Sequence, residues 1–176
     1  LLENSPDDDD DLDDLTPKSP QMKHSSPHFI LNSPSSSFES LSPYPSDAHR
    51  VILFQFYIAN VNPLCKILHK PTTLSHLMGA KDLLDESTGR FKFGSTEAIN
   101  FAIYFAAVTS MSPEECLSYF SEEKNELVTR YKSGTELALT HANFMNSMEI
   151  VTLQALTLYM VSKLSATLDH PLLGLI

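Results

Sequence analysis

Five consecutive positions, Asp10-Asp11-Leu12-Asp13-Asp14, spell DDxxD, the pattern with which prenyl-chain enzymes hold magnesium and a diphosphate. That chemistry needs carboxylates projecting from a stable helix into a deep cavity, usually with a second acidic site. Here the motif sits among Asp, Ser and Pro, with no apolar periodicity to hold it, and reads as a solvated charge run. The seven histidines offer no HExxH. His24 and His28 are four apart but lie in a stretch without helical character, while His69 and His76 flank a turn and a helix. Five glycines leave no phosphate cradle, and no nucleophile elbow presents a Ser or Cys. No catalytic, cofactor-binding or metal-ligating residue is therefore assigned, and the chain does not read as an enzyme.

The two cysteines, Cys65 and Cys116, lack CxxC spacing and fall in apolar segments. They read as small buried hydrophobes of a reducing compartment, with a disulfide or reactive thiol as the alternative. A closed zinc site of thiolates needs four ligands and is excluded by count. More chemistry lies in the proline-directed sites. Ser5, Ser19, Ser26, Ser33 and Ser42 each precede a proline, as does Thr16. These are the candidate phosphorylation residues, and each phosphate would add roughly −1.5 to −2 charges to an already acidic segment.

The elements behind these residues divide the chain in two. A length of 176 residues suits one domain of ordinary size. Eight acids and no Lys or Arg fall in residues 1–15, and removing them from the total charge of −10 leaves −2 for the remainder. Nothing has the basic footprint of a surface that grips phosphates, so no direct nucleic acid contact is expected. No apolar h-region opens the chain. The windows 98–108 and 150–164 are too short or too interrupted to span about 30 Å of hydrocarbon, so no membrane is expected either.

Residues 1–46 form an acidic, Ser/Pro-rich linker expected to be disordered, with one apolar island at His28-Phe29-Ile30-Leu31. From Ser46-Asp47 the pattern turns helical. Val51, Phe54, Ile58 and Val61 share a helix face, and Asn62-Pro63 stops it. Pro63 should open a short turn of helix through Leu64, Ile67 and Leu68, and a capping Thr should lead into Leu74, Leu77 and Met78. Residues 85–94 read as an exposed loop.

Ser95-Thr96-Glu97 opens a helix whose stretch 98–108 is apolar on every face apart from Asn100, which places it at the centre of the core. Ser112-Pro113-Glu114-Glu115 is a capping box. The segment from Ser121 to Ala142 carries an expected Glu126–Arg130 pair and a stripe of Tyr131, Gly134, Ala138 and Ala142 that admits a close neighbour. Asn146-Ser147 caps a last helix through Ile150, Leu153, Leu156, Met160 and Leu164. No segment alternates in the manner of a strand. The fold class is all-α, an irregular array of about six helical segments.

The run from Val61 to Thr72 (VNPLCKILHKPT) resembles the "NVxPLxKILHxPT" opening of the middle homology region of fungal zinc-cluster transcription factors. The run AINFAIYFAAVTSMSPEECLSY, residues 98–119, is similar to that family's "ALxFAIYYAAVTSLSxEEC". Arg130-Tyr131-Lys132, Glu136-Leu137-Ala138-Leu139 and Leu153-Gln154-Ala155-Leu156 match later blocks in order, so the resemblance covers residues 48–164. It implies a helical regulatory domain of a nuclear factor. Asn62, Pro63, Leu64, Lys66, Ile67, Leu68, His69, Pro71 and Thr72 are its motif residues, in a structural or regulatory role.

The family's Zn2Cys6 cluster needs six cysteines and this chain has two, so zinc and DNA binding are carried to no residue here. The expected partners are other segments of a parent factor or transcriptional co-regulators. Residues 47–176 are expected to be a partial domain, truncated within Leu172-Leu173-Gly174-Leu175-Ile176, which resembles the family's "LLGLAxRxA". A stand-alone helical interaction or ligand-sensing protein is the alternative.

Overall fold

The computed structural model describes residues 44–79 and 94–167, and every regular element among them is helical. Helix α1 (Asp47–Phe56) runs into a π turn (Tyr57–Val61), followed by α2 (Lys70–Gly79). Then come α3 (Ser95–Ser110), α4 (Pro113–Phe120), α5 (Lys124–His141) and α6 (Ile150–Thr167). The expected all-α array is what forms. Residues 1–43 of the Ser/Pro-rich linker with its phosphorylation candidates, the DDxxD run, His24, His28, nearly all of the 85–94 loop and the Leu172–Ile176 run lie outside the described residues.

Helix α3 is the axis of the module. Every residue from Glu97 to Val108 is buried, and α1, the π turn, α5 and α6 all pack against it. Its sequence explains this, because a helix apolar on all sides is stable only when surrounded. Ala98, Ala102, Ala106 and Ala107 let backbones approach between the larger Phe101, Tyr104 and Phe105. On the facing side, Gly134 of α5 serves the same end. A Cβ there would lie 2.7 Å from Phe101 Cδ1, so only glycine admits the ring. Tyr131 and Ala138 are buried beside it, and Ala142 at the foot of the stripe is half-buried.

Local chemistry sets the helix starts. Ser46 Oγ accepts from the His49 N–H at 3.3 Å and begins α1. Glu97 reaches back to the Gly94 N–H at 2.8 Å, which makes Gly94 the cap of α3. At α4 the expected box closes in both directions: Ser112 Oγ accepts from the Glu115 N–H at 3.2 Å, and Glu115 accepts from the Ser112 N–H at 2.7 Å. Lys124 ends α3 from across the chain, donating to Thr109 O at 3.2 Å and Met111 O at 2.6 Å. A cation there satisfies terminal carbonyls and opposes the helix dipole.

Several expectations change. Pro63 to Leu68 is a turn and irregular chain rather than helix. The Leu64 and Cys65 N–H groups both donate to Val61 O and complete one turn, but the Ile67 N–H then donates to Cys65 O, two residues back, and the winding stops. Helix α2 starts before the threonines, at Lys70, because the His69 carbonyl accepts both the Thr73 N–H at 3.0 Å and the Thr73 hydroxyl at 2.9 Å. Pro71 then falls in the first turn, where its missing N–H costs nothing.

On α1 the buried side is Arg50, Leu53, Phe54, Tyr57 and Val61, and Val51 is exposed. The buried guanidinium is held by Pro45 O at 3.1 Å and by Asp47 at 3.3 Å. Tyr44, just upstream, packs its ring 4.8 Å from that of Phe101. Arg130 pairs with Glu122 rather than Glu126. The left-handed Ser121, at φ 57°, turns the chain so that Glu122 comes back onto α5.

Candidate interaction surface

Helix α6 carries large apolar residues all around its circumference, and the fold uses only one side of them. Its buried residues are Thr152, Ala155, Leu158, Tyr159, Ser162 and Ser165, which pack against α3 and α5. The apolar residues through which the sequence runs this helix lie mostly elsewhere. Of those residues, Ile150, Leu153, Met160 and Leu164 are 72%, 50%, 47% and 55% exposed, and Leu156 is only partly buried. The reason is shape. Small residues at 155, 162 and 165 allow α6 to lie close to α3, with Tyr159 reaching to Phe105 at 5.8 Å between ring centroids. Ser162 Oγ needs no outside partner on this side, since it donates to Leu158 O at 2.8 Å, and Thr152 Oγ1 accepts from Ser147 Oγ at 3.3 Å.

What remains outward is an apolar stripe of Ile150, Leu153, Met160 and Leu164, flanked by Val161 and led by the fully exposed Met148. Isolated exposed apolar residues are ordinary, but a contiguous row along one helix marks a surface built to meet another. Thr157, midway along the stripe, donates its hydroxyl to Leu153 O at 2.8 Å and so leaves no polar group seeking water.

Beneath the stripe, the Tyr159 hydroxyl donates to the buried carboxylate of Glu136 on α5. Burial and that bond together push the Tyr159 phenol well above its ordinary range. Sequence patterning gave no signal for this pair, because Glu136 has Lys132 four residues before it and so reads as half of a surface pair.

The motif residues form the strap between the π turn and α2. Asn62 is buried and donates its N–H to Tyr57 O at 2.9 Å, which is the five-residue step of the π turn. Pro63, Leu64, Lys66, Pro71 and Thr72 are exposed, and Ile67 and Leu68 lean on the core. His69 is exposed, with Nδ1 2.8 Å from Thr72 Oγ1. The strap is tied to α6 by one long-range bond, from Gln154 Nε2 to Ile67 O at 2.7 Å. That bond is to a backbone carbonyl, and the motif side chains do not converge on one point.

Cys116 is buried, and desolvation raises its thiol pKa. Cys65 is half-buried. Among the described residues no group of three or more His, Cys, Asp or Glu could hold a metal, and no helix is long and apolar enough to cross a membrane. An open cleft of about 520 Å³ lies between the end of α3, the starts of α4 and α5, and Ser165. The charged group in its lining is Lys124, already committed to two carbonyls.

Among known proteins, the chain is 43% identical over 134 residues to the aurofusarin cluster transcription factor aurR2 of Gibberella zeae, covering 76% of this chain and 19% of that protein. It is 34% identical over 136 residues to the transcriptional regulator AacuB of Aspergillus aculeatus, covering 77% of this chain and 18% of the relative. The C6 finger domain transcription factor nscR of Arthroderma gypseum is 34% identical over 113 residues, 64% of this chain and 16% of its own length. The chain is a homologue of fungal C6 zinc-finger transcription factors.

No family model matches, and no solved structure does. The chain spans about a fifth of the length of the fungal factors it matches. Those relatives are transcription regulators, in keeping with the collinear motif blocks, and such proteins in general work in the nucleus. The C6 finger in the name of nscR requires six thiolates, and the two cysteines of this chain do not fit it.

Proposed function

We propose that this chain supplies the linker (1–46) and the first part of the regulatory middle domain (47–176) of a nuclear zinc-cluster transcription regulator. It acts through intramolecular or protein–protein contacts, with other segments of the factor or with co-regulators as partners. The observation that carries this is the outward apolar stripe of α6, a surface with no polar site for a substrate and the right chemistry for another helix. Zinc and DNA belong to a six-cysteine segment other than this one, and the Ser-Pro and Thr-Pro sites would adjust the charge of the linker.

A reporter assay tests the reading. The whole chain is fused to an unrelated DNA-binding module, and transcription is compared with that from the module alone. Output should change on fusion, and the change should vanish with Leu153→Glu and Met160→Glu together while the far-ultraviolet dichroism stays the same. An effect that survives the double variant would remove α6 from the function.

A further inference from the structure

We propose that α6 pairs antiparallel with α6 of a second copy of this chain; the inference rests on reading its stripe as a contact surface. The first support is the spacing. Ile150, Leu153, Thr157, Met160 and Leu164 follow one another at intervals of 3, 4, 3 and 4, and all five are exposed. That is the seam of a two-helix coiled coil, in which each outward side chain fills a hole on the facing helix. The seam holds no charge. Thr157 can enter it dry because its hydroxyl already bonds to Leu153 O at 2.8 Å.

The second support is charge, and it sets the direction. Glu149 and Lys163 stand two heptads apart on the same flank of the seam. Lys163 holds its ammonium on that side, 5.4 Å from the centroid of the Tyr159 ring. In an antiparallel pair this flank faces its own copy across a two-fold axis, so Glu149 of one chain meets Lys163 of the other, twice. In a parallel pair the same flank faces the Gln154 and Val161 side, and neither charge finds its opposite. Opposed helix dipoles favour the antiparallel arrangement as well.

The axis then crosses α6 near Leu156, setting Ile150 against Met160 and Leu153 against Thr157. The stripe with Met148 and Val161 presents on the order of a few hundred Å² per copy, below the roughly 800 Å² per partner of standard interfaces. A surface of this size suits a weak, reversible dimer.

Sedimentation velocity on the full 176-residue chain over a concentration series is the experiment. A reversible monomer–dimer equilibrium supports the pairing, and Leu153→Glu with Met160→Glu should abolish it without changing the melting curve. Glu149→Lys should weaken the dimer several-fold, and adding Lys163→Glu should restore it. In a Cys65→Ser background, oxidation should cross-link Thr157→Cys readily and Ile150→Cys hardly at all.

A chain monomeric up to roughly 100 micromolar overturns the proposal, as does a dimer that survives the double variant. Equal cross-linking at both cysteines overturns the direction. If the chain is monomeric while the reporter effect still depends on α6, the pairing is wrong and the contact-surface reading stands. If the reporter effect is independent of α6 too, both are wrong.

Discussion

Helices α3 and α6 draw on much the same alphabet, with long apolar runs, a few hydroxyls, tyrosine and almost no charge, yet they meet opposite fates. Helix α3 is enclosed on all sides by α1, the π turn, α5 and α6. Helix α6 buries a strip of alanine, serine and threonine around Leu158 and Tyr159, and turns Ile150, Leu153, Met160 and Leu164 to solvent. Hydropathy alone would have buried the larger residues. The deciding factor is how closely two backbones can approach, and small side chains facing the alanines of α3 permit the closer fit. Apolar character not used inside then becomes available outside.

The sharpest way to break this comparison is to truncate one large side chain on each helix. Phe101 is fully buried against Gly134 and Tyr44. Phe101→Ala should lower the unfolding free energy by about 3–5 kcal/mol. Leu153→Ala, at low protein concentration where no partner is bound, should change it by no more than about 0.5 kcal/mol. Urea titration of both variants reads the difference. Comparable losses would mean that the stripe is core.

A second effect comes from the phenols around α3. Desolvation by burial raises the Tyr131 pKa from 10.0 to about 12, and the phenols of Tyr57 and Tyr104 are pushed higher still. The folded chain therefore holds these protons more tightly than the unfolded one. The stability this represents is complete below pH 10.0, the unfolded value, and is lost as pH rises towards 12. For Tyr131 the loss is on the order of 3 kcal/mol. Tyrosinate absorbance from the buried rings should grow in together with the loss of helical dichroism on alkaline titration. Ionisation of every tyrosine at its ordinary pH with the helices intact would refute the enclosure of α3.

How far these features could be read in the sequence differs between the same two helices. The central place of α3 was legible because it is apolar on every face and allows one arrangement only. The capping box at Ser112 was legible because it is local chemistry. For α6 the residues of the stripe stood out, but periodicity could not say which of two competent faces turns inward, since that depends on the surface of α3. Arg50 escaped notice because its buried position depends on the Pro45 carbonyl. Arg130 chose Glu122 over Glu126 through a left-handed turn at Ser121 that helical spacing does not encode. The motif from Asn62 to Thr72 was legible as a motif, while its tie to α6 through Gln154 required the fold.

The smallest expected effect sets one tyrosine on each helix against the other. Tyr104 of α3 is fully buried, its ring 5.5 Å from that of Tyr131, and its hydroxyl has no hydrogen-bond partner. Tyr159 of α6 is equally buried, but its hydroxyl donates to the Glu136 carboxylate. Replacement by phenylalanine keeps both rings in place and removes one polar group from each. Tyr159→Phe strips a buried carboxylate of a donor and should cost about 1–3 kcal/mol. Tyr104→Phe removes a hydroxyl that was desolvated without compensation, and should leave the chain as stable as before or more stable by up to about 1 kcal/mol. Opposite signs in thermal melts of the two variants would show that enclosure serves α3 through packing alone, whereas α6 is fixed by a polar anchor beneath its exposed face. A loss at Tyr104 as large as that at Tyr159 would reveal a bond on α3 and erase the distinction.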